Sequence, residues 1–121
     1  MTNIIAIVLA AILQVESRGG KDLRHGDNGR ALGPYQLHTE AVHEANRIER
    51  IYARRYGRKA RRWTHIDRHS MEKSREISEL ILIRFYRMGI TDPVKLGCRH
   101  RNPYSRDCWW YKRKIRKVIG N

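Results

Sequence analysis

One carboxylate of this sequence is placed where it could act as an acid catalyst. Glu16 follows an apolar run from Ile4 to Val15 that only Gln14 interrupts, and this run is long enough for about three helical turns. We therefore expect the carboxyl group of Glu16 at the rim of a hydrophobic core, where burial favours its protonated form. A carboxyl group that stays protonated near neutral pH can donate a proton to a leaving group, as cleavage of a glycosidic bond requires.

A second carboxylate suited to the same chemistry lies in the polar, glycine-rich segment of residues 17–37. Asp27 precedes Asn28-Gly29, a strong signal for a tight turn, and a small β-hairpin is expected there. Asp27 would either act beside the acid or close an Asx-type turn with its side chain. Asp22 is the competing candidate for the second carboxylate.

Two phrases of the chain resemble the catalytic segment of the lysozyme-like superfamily. They are Val15-Glu16-Ser17 and Gly26-Asp27-Asn28-Gly29-Arg30-Ala31-Leu32-Gly33-Pro34-Tyr35-Gln36-Leu37. The likeness is greatest to the destabilase, or invertebrate-type, lysozymes and their bacterial and phage relatives. The lytic transglycosylases, which share a Glu-Ser and a later Gly-x-x-Gln, are more distant. The length of the chain and its helical periodicity predict one domain with a mainly α fold. The resemblance implies that this is a lysozyme-like domain over residues 1–121, with helices around a loop-rich catalytic segment.

This resemblance implies cleavage of peptidoglycan at the β-1,4 bond between N-acetylmuramic acid and N-acetylglucosamine. Glu16 takes the role of general acid, and Asp27 matches the second carboxylate of the invertebrate-type lysozymes if one residue is deleted. The alternative is lytic transglycosylation, in which Glu16 acts alone and a hydroxyl of the sugar itself attacks to give an anhydro product. No cofactor is implied, and the scattered histidines have no metal-ligand spacing.

The resemblance also suggests which residues bind the sugar. The residues expected to bind the sugar are Ser17, Tyr35, Gln36, His38, Tyr86, His100 and Asn102. Gln36, Tyr86, His100 and Asn102 match or approach cleft positions of the family, and His38 is a candidate because it directly follows the Gly-Pro-Tyr-Gln-Leu phrase. For Ser17 a turn-capping role is slightly favoured, and Tyr35 is better suited to packing. The phrase His100-Arg101-Asn102-Pro103 stands in the place of a His-Asn-Gly-Gly phrase but carries an inserted arginine and lacks both glycines.

The charge of the chain indicates an anionic partner without identifying it. Lys and Arg number 26 against 12 Asp and Glu, a formal net charge of +14. Such a surface is attracted to nucleic acid, anionic lipid or an anionic cell-wall polymer. A basic helical nucleic-acid-binding module, supported by Arg54-Arg55 and residues 112–117, is therefore a second class of function. A nucleic-acid-binding function does not explain why Glu16 follows an apolar helix. We therefore favour peptidoglycan as the partner and expect no specific binding of nucleic acid. We also expect a monomer.

The start of the chain and its two cysteines bear on where the protein acts. The apolar start lacks a basic n-region and is too short for a transmembrane span, so we expect a buried helix and no recognisable signal peptide. The protein would then act at the cell wall, in the periplasm or outside the cell, after release at lysis or delivery by another component. Cys98 and Cys108 would either form a disulfide in an oxidising compartment or remain reduced thiols.

Helical periodicity places five helices along the chain. They are expected over residues 3–16, from Thr39 to Gly57, from Asp67 or Ser70 to Met88, from Asp92-Pro93 to Leu96, and from Asp107 to Ile119, with residues 97–106 irregular. The first helix is apolar at nearly every position, which predicts burial on all sides. Trp109-Trp110-Tyr111 resembles the aromatic pair that begins the family's last helix, and packing is favoured over sugar stacking. The basic connector of residues 57–63 would bind a polyanion or be a solvated loop.

Overall fold

The computed structural model describes residues 2–101 and 108–120, apart from the side chains of Thr2 and Asp27. The described chain is built from five α-helices, and the predicted mainly α fold is confirmed. They are α1 (Thr2–Ser17), α2 (Thr39–Tyr56), α3 (Met71–Arg87), α4 (Pro93–Arg101) and α5 (Trp109–Ile119), with short 3₁₀ turns at Asp27–Gly29 and His65–His69. None of these helices combines the length and the apolar character needed to cross a lipid bilayer.

α1 packs against α3, α4 and α5 but is not buried on every side, so that part of the prediction is wrong. The buried side chains of its inner face are Ile5, Val8, Leu9, Ala11 and Ile12. The opposite face leaves Ile7 47% exposed, together with Ala6 and Ala10. Because alanine carries little apolar surface, exposure of this stripe costs little free energy. The packing of one face is therefore what fixes the end of α1, and with it Glu16.

The basic connector of residues 57–63 folds back onto α2 through two of its arginines. Glu49 of α2 is fully buried and accepts hydrogen bonds from Nη2 of Arg58 at 2.7 Å and from Nε of Arg61 at 2.6 Å. Asn46 pairs with the backbone N–H and C=O of Trp63, each at 2.9 Å, and Trp63 packs into the core. Arg58 and Arg61 are thus engaged within the protein, which neither expectation for the connector anticipated.

The buried carboxylate of Glu49 contributes to stability in a way that depends on pH. Burial by itself would raise its pKa, but the hydrogen bonds from Arg58 and Arg61 outweigh burial and lower the pKa to about 2. Because folding lowers this pKa, the contribution is present above the unfolded value of 4.5 and is lost as the pH falls toward 2. The attachment of residues 57–63 to α2 through Glu49 should therefore contribute most to stability at neutral pH.

Replacing Glu49 with glutamine tests this contribution. The variant loses charge-assisted hydrogen bonds, and we expect its free energy of unfolding at pH 7 to fall by about 2 kcal/mol. Urea unfolding should show a smaller difference between wild type and variant at pH 3. The control is Glu44→Gln, which breaks a partly exposed pair with Arg47 and should change the stability by less than about 0.5 kcal/mol. Equal losses in the two variants would contradict the role given to Glu49.

α4 is longer than predicted and carries the helix to Arg101. The prediction ended it at Leu96, whereas Gly97 lies inside the helix, where an added Cβ would come within 3.2 Å of Cγ1 of Ile115. The glycine therefore lets α4 and α5 pack closely. Cys98 and Cys108 form a disulfide with 5.9 Å between their Cα atoms, so of the two alternatives left open the bridge is the one found. It ties the end of α4 to the start of α5.

Candidate functional site

Glu16 lies in the last turn of α1, a helix that packs against both α4 and α5. Its side chain is 13% exposed, and its Oε2 lies 3.8 Å from Nη1 of Arg101 at the end of α4. The carboxyl group thus lies at the boundary between core and solvent, as the sequence predicted. The guanidinium of Arg101 is therefore close enough to form an ion pair with the carboxylate of Glu16.

Arg101 connects the carboxyl group to an aromatic surface. Its guanidinium carbon lies 5.4 Å from the ring centroid of Trp110 and 5.8 Å from that of Tyr111. The hydroxyl of Tyr111 is buried and finds no hydrogen-bond partner among the described residues. Burial, helped by the charge of Glu16 and opposed by that of Arg101, raises the pKa of Tyr111 well above its usual value. We call Glu16, Arg101, Trp110 and Tyr111 the Glu16 cluster.

Sequence reasoning missed the role of Arg101 in this cluster. The residue counted only as an insertion that spoiled the match to a sugar-binding phrase. The only sequence feature that drew attention to Arg101 was its position directly after His100. No sequence pattern predicts that Arg101 contacts Glu16, which lies more than eighty positions earlier. The contact follows from the packing of α1 against α4, which brings the ends of the two helices together.

Gln36 holds the two halves of the polar segment together. Its side-chain oxygen accepts a hydrogen bond from the N–H of Gly26 at 3.0 Å, and its amide donates to the carbonyls of Arg24 at 3.1 Å and Gly33 at 3.0 Å. The side chain is buried, and its backbone takes the left-handed conformation with φ 49°. The amide predicted to bind sugar is therefore engaged inside the loop, and we assign Gln36 a bracing role.

Arg68, which sequence reasoning did not single out, fastens the same segment to the 3₁₀ turn His65–His69. Nη1 of this buried side chain donates to the carbonyls of Arg30 and Leu37, each at 3.2 Å. Burial lowers the pKa of its guanidinium. Gly33 has φ 81°, and any Cβ there would collide with the backbone oxygen of Arg68. The glycine of the Gly-Pro-Tyr-Gln phrase is thus required for this close approach.

The expected hairpin is reduced to two isolated antiparallel bridges, Gly26 with Ala31 and Leu32 with Leu37. The first bridge encloses the 3₁₀ turn Asp27–Gly29, in which Asn28 takes the left-handed conformation with φ 58°. Asp27 therefore begins a tight turn, as predicted. Its side chain lies outside the described part of the structure, so its role as second carboxylate stays a prediction.

Asp22, the competing carboxylate, is engaged by a neighbouring arginine. Its two oxygens accept hydrogen bonds from Nε and Nη2 of Arg24 at 3.0 and 2.8 Å. These bonds lower the pKa of Asp22 to about 2. The carboxylate of Asp22 is ionised at neutral pH, but it forms an ion pair with Arg24. Asp22 is therefore less suited than a free carboxylate to act as a nucleophile.

Three of the predicted sugar-binding residues lie at the borders of this segment. Ser17 is buried, and its hydroxyl donates to the carbonyl of Leu13 at 3.2 Å and accepts from the N–H of Gly20 at 2.9 Å. It therefore caps the turn after α1, the role slightly favoured from the sequence. Tyr35 is buried in the core, where burial raises its pKa. His38 is half-buried at the N-terminal boundary of α2.

Two of the remaining candidates, His100 and Tyr86, pack against the core. His100 was expected to bind sugar, but it is buried on α4 with Nε2 2.9 Å from Oγ of Ser78. Burial lowers its pKa to about 4, so the ring is neutral at pH 7 and belongs to the core. Tyr86 lies half-buried near the end of α3 and packs against the core. Asn102 lies outside the described residues.

The aromatic residues at the start of α5 divide between core and surface. Tyr111 is buried, as the packing prediction required, but Trp109 and Trp110 are 61% and 43% exposed. The prediction is therefore wrong for both tryptophans. Because consecutive helical residues are about 100° apart, a helix anchored by Tyr111 and Ile115 turns the two preceding side chains outward.

Comparison of the chain with protein-family models, with curated proteins and with solved structures gives no match. Within residues 2–101 and 108–120, no three histidine, cysteine, aspartate or glutamate side chains converge on a possible metal position. The Glu16 cluster and the braced loop beside it are therefore the arrangement from which a function can be argued.

Proposed function

We propose that this protein is a peptidoglycan-cleaving glycosidase in which Glu16 is the general acid. The observation that carries the proposal is the position of the Glu16 carboxyl, 13% exposed at the end of a core helix and directly before a loop braced from within. Glycosidic cleavage needs a carboxyl group that is partly desolvated yet reachable by the sugar. The likeness of residues 15–37 to the lysozyme-like catalytic segment supports the same chemistry.

The proposed reaction begins with transfer of the Glu16 proton to the oxygen that joins N-acetylmuramic acid to N-acetylglucosamine. The bond between that oxygen and the anomeric carbon breaks, and the positive charge that develops on the sugar is stabilised by a second carboxylate. We assign that role to Asp27, because Asp22 is paired with Arg24. Water then adds its hydroxyl to the anomeric carbon, and its proton returns to Glu16.

Arg101 should set the pH range of this reaction. Its cation 3.8 Å from Glu16 favours the ionised carboxylate, whereas catalysis needs the protonated group. Arg101→Gln should therefore move the alkaline limb of the pH–rate profile to higher pH. The matched control is Arg99→Gln on the same helix. The guanidinium of Arg99 lies over the ring of Phe85, so this variant removes the same charge from a different position. Identical limbs in wild type and Arg101→Gln would contradict an interaction of Arg101 with the catalytic acid.

The positive surface should concentrate the protein on its substrate. Lysis of whole cells should fall steeply with added salt, because the Debye length shrinks from about 10 Å at 0.1 M to about 3 Å at 1 M. Cleavage of a short neutral chitooligosaccharide should change much less. Parallel salt curves for the two substrates would show that the net charge of +14 does not steer the protein to the wall.

The proposal is tested by adding the protein to purified peptidoglycan sacculi freed of nucleic acid and lipid. We expect the turbidity to fall and soluble muropeptides to appear. Intact sacculi, together with tight binding of duplex DNA in the same buffer, would instead favour the basic nucleic-acid-binding module.

A further inference from the structure

The outward side of α5 carries an unusual combination of side chains. Tyr111 and Ile115 are buried and fix the orientation of the helix. With 3.6 residues per turn, residues four apart share a row, and two neighbouring rows face solvent. They are Trp109, Arg113 and Lys117 in one row and Trp110, Lys114 and Val118 in the other. We call these six residues the outer face of α5.

Among the residues that the structure describes, cations border the tryptophans of the outer face. The guanidinium carbon of Arg113 lies 5.9 Å from the ring centroid of Trp109, and Nζ of Lys114 lies 5.5 Å from that of Trp110. Arg101 also approaches Trp110, at 5.4 Å. The helix has five Lys or Arg residues among its eleven and no Asp or Glu. Apolar rings and basic heads are thus interleaved on one surface.

We propose that the outer face of α5 docks onto an anionic membrane surface. Indole rings favour the boundary between lipid headgroups and acyl chains, and lysine and arginine reach from there to the phosphates. The exposed Val118 ends one row with an apolar group that can enter the lipid but has nothing to offer a polynucleotide.

The membrane contact does not depend on the proposed enzymatic activity. It shares Trp110 and the neighbouring Arg101 with the Glu16 cluster, but it uses neither the carboxyl group of Glu16 nor the loop of residues 17–37, so Glu16→Gln should bind membranes as the wild type does. Loss of peptidoglycan cleavage with retained membrane binding would count against the proposed function alone. Retained cleavage with no membrane binding would count against this inference alone.

The first test follows tryptophan emission with vesicles of equal parts phosphatidylglycerol and phosphatidylcholine, and with pure phosphatidylcholine. We expect a blue shift, and quenching by brominated acyl chains, with the anionic vesicles only. The remaining tryptophan, Trp63, is buried in the core and serves as an internal control. In the double variant Trp109→Ala/Trp110→Ala, the lipid-dependent change should therefore disappear while the far-UV circular dichroism stays helical.

The second test separates this face from the general positive charge. Each basic residue at an anionic leaflet strengthens binding about fivefold, and the effect falls off within a Debye length, so Arg113→Gln/Lys114→Gln should weaken binding about 25-fold. The matched pair is Arg54→Gln/Arg55→Gln, which removes the same charge from exposed positions at the end of α2 and should weaken binding much less. Equal losses in the two pairs, or unshifted and unquenched wild-type emission, would overturn the proposal. Quenching by a single-stranded oligonucleotide but not by vesicles would overturn it in favour of a base-stacking surface.

Discussion

Replacing Glu16 with glutamine should abolish cell-wall lysis and leave the protein folded. Glutamine keeps the size and polarity of the side chain but cannot donate a carboxylic proton. General acid catalysis contributes about 10²–10⁴-fold to a rate, and we expect a loss of about 10³-fold, or about 4 kcal/mol of barrier. The thermal unfolding temperature should change little, because the carboxyl lies at the edge of the core and not within it.

The matched control for this experiment is Glu72→Gln. It makes the same chemical change at an exposed position in the first turn of α3 and should leave lysis at the wild-type level. A folded Glu16→Gln protein that keeps more than a few per cent of wild-type lysis would remove Glu16 from the catalytic role. Loss of activity in both variants would point to general charge rather than to one acid.

Replacing Asp27 with asparagine should lower turnover at least about 100-fold, which corresponds to about 2.7 kcal/mol of barrier. As the ionised partner of a protonated Glu16, Asp27 would stabilise the positive charge that develops on the sugar. Asparagine also forms Asx-type hydrogen bonds and tolerates tight turns, so the 3₁₀ turn Asp27–Gly29 should be kept. Thermal stability should therefore stay near that of the wild type.

Asp22→Asn is the informative comparison for this second carboxylate. Because Asp22 is paired with Arg24, its replacement should cost far less activity than that of Asp27. Near-normal turnover of Asp27→Asn with anhydro products would make Asp27 a turn residue and the protein a lytic transglycosylase. Near-normal turnover with reducing ends would instead indicate Asp22 or another second group.

Much of the fold could be predicted because it depends on local signals. The apolar positions of α2 recur at helical spacing, and Gly57 ends the helix in the left-handed conformation with φ 64°, as expected of a C-terminal glycine. Ser70 caps α3 by accepting a hydrogen bond from the N–H of Lys73. The end of α4 could not be predicted from such a signal. Gly97 does not end the helix but allows α4 to pack closely against Ile115.

The candidate site was only partly predictable, because its supports are charged residues that act inside the protein. Arg68 is one of 26 basic residues, and nothing local distinguishes it from those on the surface. Its partners Arg30 and Leu37 are 38 and 31 positions away. Buried charges of this kind require partners that only the folded chain supplies, so the sequence predicted the position of Glu16 at the rim of the core but not the hydrogen bonds that hold the adjoining loop.

The amide of Gln36 makes contacts that its residue type did not indicate. The Gly-Pro-Tyr-Gln phrase was identified from residue types, and a polar side chain within it suggested contact with sugar. The left-handed backbone at Gln36 turns the amide back toward Gly26 and Gly33. Such a conformation is uncommon for a residue other than glycine and could not be inferred from the sequence.

The most direct test of the account is mass spectrometry of purified peptidoglycan digested by the wild type and by Glu16→Gln. Reducing ends and anhydro ends differ in mass by one water, so the same spectrum also separates hydrolysis from transglycosylation. We predict muropeptides that end in reducing N-acetylmuramic acid from the wild type and none above background from Glu16→Gln. Release of the same products by both proteins, or by neither, would contradict the assignment of Glu16 as the catalytic acid of a peptidoglycan-cleaving enzyme.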